Sequence, residues 1–217
     1  MVECSTVSIV ITIFILLVIA YWLLELHYFL RIATCYLHSK IFKKRLHILD
    51  TSTYSSICLT TDIDILLFHM NNARYLREVD FARADFYNRT DLWKKIREKG
   101  GLVFQGGTSI RYRRFIRLFS LYYITSDIVY WDQNSIYMEH RFITKRDNFV
   151  RAIVYCKQKV VKCNVEEIMA ELMKNPSTKQ PSETIRKKPE CPSEIRLWIE
   201  STNVSSEKLR HNVIQVS

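Results

Sequence analysis

Three kinds of hydrophobic pattern follow one another along the chain. The first is unbroken: from Val7 to Leu24 only Ser8 and Thr12 are polar, and no residue is charged. A segment that is apolar on every face and about 27 Å long at helical rise predicts a transmembrane helix rather than a core helix. Tyr21 and Trp22 stand near one end, where amphipathic rings favour the membrane interface. A cleaved signal peptide, which would make the protein secreted or lumenal, is the rival reading. It wants a basic start and a small-residue cleavage site, whereas Glu3 is the only charge before the run and no A-x-A pattern follows. The second pattern, over residues 26–50, sets Leu30, Ile41 and Leu46 among Arg31, Lys40, Lys43, Lys44 and Arg45. It predicts a basic amphipathic helix lying on lipid headgroups, or else a solvated linker helix.

The third pattern fills residues 51–174. Tyr54–Thr61 is rich in β-branched and aromatic residues and reads as a strand. Asn71-Asn72 reads as the cap of a helix whose apolar positions Tyr75, Val79, Ala82 and Phe86 recur at steps of three and four, so that one face is buried. A shorter helix, Asp91–Lys99, leads into a glycine cluster. Four strand-like runs follow: Leu102–Phe115, Leu118–Trp131, Ile136–Thr144 and Val150–Val161. Asp132-Gln133-Asn134 and Arg146-Asp147-Asn148 supply turns between the last three. A closing helix spans Val165–Lys174. One strand, a long helix and an antiparallel meander predict an α+β sheet wrapped on a central helix. Residues 175–217 read as an extended polar tail, with a short final helix around Trp198 capped by Ser193.

Composition sharpens this division. All four glycines lie between Gly100 and Gly107, and all four prolines between Pro176 and Pro192, which separates one compact body from its tail. The 32 Lys and Arg against 22 Asp and Glu give a net charge of +10 and favour an anionic partner. No nucleic-acid recognition motif accompanies that charge, and no nucleic-acid partner is expected. The six cysteines are scattered without a CxxC pair, so zinc-ribbon and thioredoxin-like readings fail and free thiols are expected. The common hydrolase, phosphate-loop, dinucleotide and zinc-protease motifs are absent, and neither cofactor nor metal is expected.

Chemistry is densest from Asp62 to Tyr75. Two carboxylates, Asp62 and Asp64, a histidine, His69, and a helix start meet on one strand-to-helix connection. A helix N-terminus offers unpaired N–H groups and partial positive charge to an oxyanion, and a carboxylate beside it can act as nucleophile or base. An Asx turn with an N-cap and a packed histidine would use the same residues structurally. Arg111, Arg113, Arg114 and Arg117 form a basic stretch suited to phosphate or anionic lipid, or to a solvated strand face.

The run HMNNARYLREVDFAR, with His69, Asn71, Asn72, Tyr75, Asp80, Ala82 and Arg83 in step, resembles the signature of hotdog-fold acyl-CoA thioesterases of the 4-hydroxybenzoyl-CoA type. The resemblance is closest to the membrane-tethered branch called thioesterase superfamily member six, and it extends over RYRRFIRL, Trp131–Phe149 and the tail around Trp198. It implies a hotdog fold preceded by an N-terminal transmembrane helix and an acyl-CoA or related lipid ligand. It further implies a homodimer, at the endoplasmic reticulum with the body in the cytosol. It makes Asp64 the nucleophile or base, and it places His69, Asn71, Asn72, Tyr75, Arg111, Arg113 and Arg114 around the substrate. The signature departs from the family in one loop. Leu67 or Phe68 stands where the family has glycine, and one extra residue separates Asp64 from His69. Hydrolysis of a fatty acyl-CoA and non-catalytic binding of an acyl or lipid group both remain open readings.

Five cations follow the apolar run and only Glu3 precedes it, so positive charge should hold the body in the cytosol. Asn88-Arg-Thr90 and Asn203-Val-Ser205 are glycosylation acceptors that report on this topology. Both should stay unmodified, and protease added to sealed microsomes should digest the body. A glycosidase-sensitive mobility shift lost in Asn88→Gln/Asn203→Gln would instead put the body in the lumen.

Overall fold

The computed structural model describes residues 2–64, 66, 68–174 and 187–216. By contact the chain divides into two compact units, residues 1–43 and 44–217. The first unit holds helices α1 (Val2–Leu23) and α2 (Leu26–Phe42), separated by a break at Glu25, whose φ is 47°. Among the described residues no single helix is long and apolar enough to cross a membrane. Thr6–Tyr21 and Leu26–Phe42 meet that test only together, as a pair bent by 75°. The apolar helix and the basic amphipathic helix are thus two helices with a turn between them.

In the second unit, β1 (Ser52–Ile57) leads through a 3₁₀ turn (Thr60–Asp62) to a two-residue hairpin, β2 (Ile63–Asp64) and β3 (His69–Met70). Helix α3 (Asn72–Arg89) and the short α4 (Leu92–Glu98) follow. Then come β4 (Leu102–Tyr112), β5 (Leu121–Trp131), β6 (Ser135–Thr144), β7 (Val150–Val161), α5 (Val165–Lys174) and α6 (Ser193–Val216). The five long strands form one antiparallel sheet in the order β1-β5-β6-β7-β4. Tyr75, Val79, Ala82 and Phe86 of α3 are each no more than 2% exposed, packed with the Tyr122, Ile124, Met138, Phe142 and Val154 face of the sheet. Burying each large member of that stripe contributes about 1.5–3 kcal/mol. The buried Glu78 carboxylate accepts the Tyr122 hydroxyl at 2.7 Å, tying helix to sheet inside the core. A single antiparallel sheet around a central helix is the hotdog arrangement, and its α+β class is the one the patterning predicts.

Several boundaries differ from the sequence reading. Thr60 and Thr61 are in the 3₁₀ turn rather than in a strand. The arginine-rich run leaves the sheet after Tyr112, and β5 starts at Leu121. The last helix is not a short turn: α6 spans 24 residues. Its Ile195 is fully buried, and Trp198 lies against β4, where a Cβ added to Gly107 would sit 3.3 Å from the indole. Of the expected polar tail, residues 175–186 lie outside the described residues. Cys35, Cys58, Cys156, Cys163 and Cys191 are thiols in no disulfide among the described residues, and Cys35, Cys58 and Cys156 are buried.

Beneath the helix runs a buried polar row. Ser52, Ser126 and His140 are register partners across β1, β5 and β6, and His140 Nδ1 lies 2.8 Å from Ser126 Oγ. Burial pushes the His140 imidazole down from 6.5 to about 3, and the nearby Arg83 guanidinium pushes the same way. The unfolded chain therefore takes up this proton first. Stability is full above about pH 6.5 and falls as pH drops toward 3, by about 1.4 kcal/mol per pH unit from this group. Urea midpoints measured at pH 7 and pH 4.5 should fall further apart for the native chain than for His140→Gln. Equal losses in the two would show that His140 is not the group responsible.

Candidate functional site

The site is built on the β2–β3 hairpin and the helix start it feeds. Asp64 and His69 are direct register partners, so the two side-chain positions stand opposite each other. The half-buried Asp64 closes its own loop: one carboxylate oxygen accepts the Leu66 N–H at 2.9 Å, and its carbonyl accepts the Phe68 N–H at 3.0 Å. His69 is 8% exposed, with its ring stacked on Phe115 at 4.1 Å and 4°. Its Nδ1 lies 3.0 Å from the Met70 carbonyl, which only a protonated nitrogen can satisfy. In the neutral ring Nε2 then carries the lone pair, buried and without a partner among the described residues.

Asn71 is the cap of α3. Its side chain accepts the Ala73 N–H at 2.9 Å, its carbonyl accepts the Arg74 N–H at 2.9 Å, and its own N–H is given to the Asp62 carbonyl at 2.8 Å. Among the described residues no acceptor meets the Asn72 N–H. It is thus the open donor at the positive end of an 18-residue helix. Asp62 is a turn residue, as its position suggests: buried, it accepts the Leu59 N–H at 2.9 Å and lies 3.5 Å from Arg74. Tyr75 is enclosed between Tyr112 and Phe142, and burial pushes its phenol up to about 12, so it stays protonated.

The arginines separate into two groups. Arg111 remains on exposed β4 opposite Ile153. Arg113 and Arg114, joined by Arg151, surround the Phe149 ring at 4.8, 4.4 and 5.2 Å. Sequence reading missed Phe149, Arg151 and Phe115, although the interleaving of arginine and phenylalanine in RYRRFIRLF was a visible sign of stacking. Arg114, Phe115, Arg117, Lys145, Arg146 and Arg151 share the lining of a cleft of about 780 Å³. Phe115 and the His69–Arg117 bridge join this cleft to the hairpin. Among the described residues no cluster of three or more His, Cys, Asp or Glu is placed to hold a metal ion.

Phe68 resolves how the loop manages without the family glycine. Its φ is 49°, the left-handed conformation that glycine adopts freely and that costs an ordinary residue about 1–2 kcal/mol. The ring is 65% exposed, so it recovers little of that cost by burial. Phe68→Gly should leave the unfolding free energy within about 1 kcal/mol of the native value, since relief of strain offsets the added chain entropy. A loss above about 2 kcal/mol in urea unfolding would show instead that the ring is packed.

Relatives agree with this architecture. A model of the thioesterase-like superfamily matches residues 58–199. Protein THEM6 of Drosophila melanogaster is 41% identical over 196 residues, covering 90% of this chain and 96% of its own length. Protein THEM6 of Xenopus laevis is 35% identical over 188 residues, 87% of this chain and 86% of that one. Among solved structures, the probable thioesterase YbaW of Escherichia coli superposes with a TM-score of 0.52 at 20% identity, over 56% of this chain and 95% of its own. The 1,4-dihydroxy-2-naphthoyl-CoA thioesterase Slr0204 of Synechocystis gives 0.50 at 11% identity, over 57% and 95%. The sequence signature, the sheet wrapped on α3 and these matches lead to one assignment: the chain belongs to the thioesterase-like superfamily.

Proposed function

We propose that the protein hydrolyses fatty acyl-CoA thioesters at a membrane face. The observation that carries this reading is the pairing of Asp64 with His69 beside the open Asn72 N–H. It supplies a carboxylate, a free imidazole nitrogen and an oxyanion donor on one hairpin-to-helix junction. Asp64 acts as base for a water, or as nucleophile, on the thioester carbonyl. The negative charge that develops on the carbonyl oxygen meets the Asn72 N–H, and the C–S bond breaks. On the base route the thiolate takes the proton that Asp64 drew from water, and the free acid leaves. On the nucleophile route water then hydrolyses the acyl–Asp64 anhydride, which releases the acid and supplies the thiol's proton. Arg113 and Arg114, held with Arg151 around Phe149, face the CoA phosphates, and Arg111 extends that basic strand. The outward Phe68 ring favours this reading, because the residue replacing glycine does not fill the loop. The second reading, a non-catalytic acyl-binding scaffold, draws on the lengthened Asp64–His69 loop.

The chain is anchored by its apolar N-terminus with the body in the cytosol, supported by the uncharged Val7–Leu24 run and the cations after it. The body is a homodimer. Among the described residues the edge strands β1 and β4 each neighbour one strand only, and β4 is largely exposed along its length. Light scattering at micromolar concentration should return at least twice the 25.9 kDa chain mass after correction for bound detergent, and a monomeric mass would count against the dimer.

Asp64→Asn keeps size while removing the charge. It should lower acyl-CoA hydrolysis by about 100-fold or more, the range expected for losing a general base. An unchanged rate in a folded variant would remove Asp64 from the mechanism and leave the scaffold reading.

A further inference from the structure

One end of the body gathers exposed apolar side chains that the proposed chemistry does not use. Leu59, Phe115, Phe119 and Leu121 are 44%, 63%, 62% and 53% exposed. They belong to connected segments. Phe119 N–H donates to the Cys58 carbonyl at 2.8 Å, Cys58 N–H to the Ser120 carbonyl at 3.1 Å, and Lys145 N–H to the Leu121 carbonyl at 2.9 Å. These bonds hold residues 58–59, 113–121 and 145–149 as one surface rather than as separate loops. Phe119 has a φ of 59°, so the backbone stays in a strained turn that displays the ring to solvent. Arg117, Lys145 and Arg146 stand exposed among these groups, beside the exposed Arg113 and Arg114 already assigned to CoA phosphates. Among the described residues the one acid lining the cleft, Asp147, is already tied to Arg151 and Thr144.

We propose that this end of the body is an interfacial surface that docks directly on an anionic bilayer, with the phenylalanine rings at headgroup depth and the three cations on lipid phosphates and carboxylates. This goes beyond the thioesterase reading, because it needs neither hydrolysis nor the N-terminal anchor. Charge decides the occupant. A second copy facing the same patch would set Arg117, Lys145 and Arg146 against themselves. An anionic leaflet meets those cations with opposite charge and gives the aromatic rings the interface they favour.

The test is hydrogen exchange on the full chain mixed with phosphatidylcholine vesicles, with or without one fifth phosphatidylserine. Amides in 113–121 and 145–149 should be protected with phosphatidylserine, and 0.5 M salt should reverse the effect. Vesicle affinity should fall about fivefold for each cation removed in Lys145→Ser and Arg146→Ser. Phe119→Gly removes the ring where glycine suits the backbone, and it should weaken the same protection without unfolding the body. The same protection in vesicle-free buffer would show a second copy on the surface and overturn the proposal. Protection of residues 117–121 and 145–147 by free CoA without vesicles would show a phosphate-ligand site across the patch and overturn it too, as would identical exchange in the two lipid mixtures. Protection confined to residues 7–24 would uphold the anchor alone and refute the docking surface.

Discussion

Everything in the body is arranged around one helix whose inner face is sealed. Tyr75, Val79, Ala82 and Phe86 are sealed against the sheet, and the helix start must then emerge where β3 ends. The sheet cannot flatten without exposing that stripe, and the helix cannot rotate without pulling Glu78 from Tyr122. An unpaired carboxylate left in such surroundings is costly, so the bond fixes the rotation of α3 as well as its depth. The open Asn72 N–H at the helix start consequently has a defined direction. The hairpin register sets Asp64 opposite His69 beside it.

The architecture was legible because the periodicities were clean. Val150–Val161 and Val165–Lys174 match the observed elements, since alternating and amphipathic patterns there face a single core. Where packing lapses, the pattern lapses with it. Residues 203–210 of α6 are exposed on all sides, so no stripe marked them as helix. Thr60 and Thr61 have strand-like side chains, yet Asp62 captures the Leu59 N–H and folds the segment into a turn.

The site was legible in its parts and hidden in its connections. Asp64, His69, Asn71 and Asn72 stood out by residue type and by the resemblance, and the cap at Asn71 follows from its side-chain chemistry. The opposition of Asp64 and His69 depends on hairpin register across a loop of unfamiliar length, which spacing alone does not give. The stacking of Phe115 on His69 and of three arginines on Phe149 joins residues from separate segments, so the interleaving in RYRRFIRLF hinted at stacking without naming the partners.

Gly107 links two ends of the body that are distant in sequence. With no side chain there, β4 has a notch in which the Trp198 indole rests, and Tyr137 meets the same indole edge-on at 6.3 Å. The C-terminal helix is thereby latched to an edge strand of the sheet, which neighbours one strand only among the described residues. The latch and any strand added at that edge are neighbours on one narrow ribbon of backbone. Loosening the helix would change the shape and mobility of the edge itself. Helix α6 thus acts as a clasp on the sheet's margin, and its grip depends on a notch one methyl group deep.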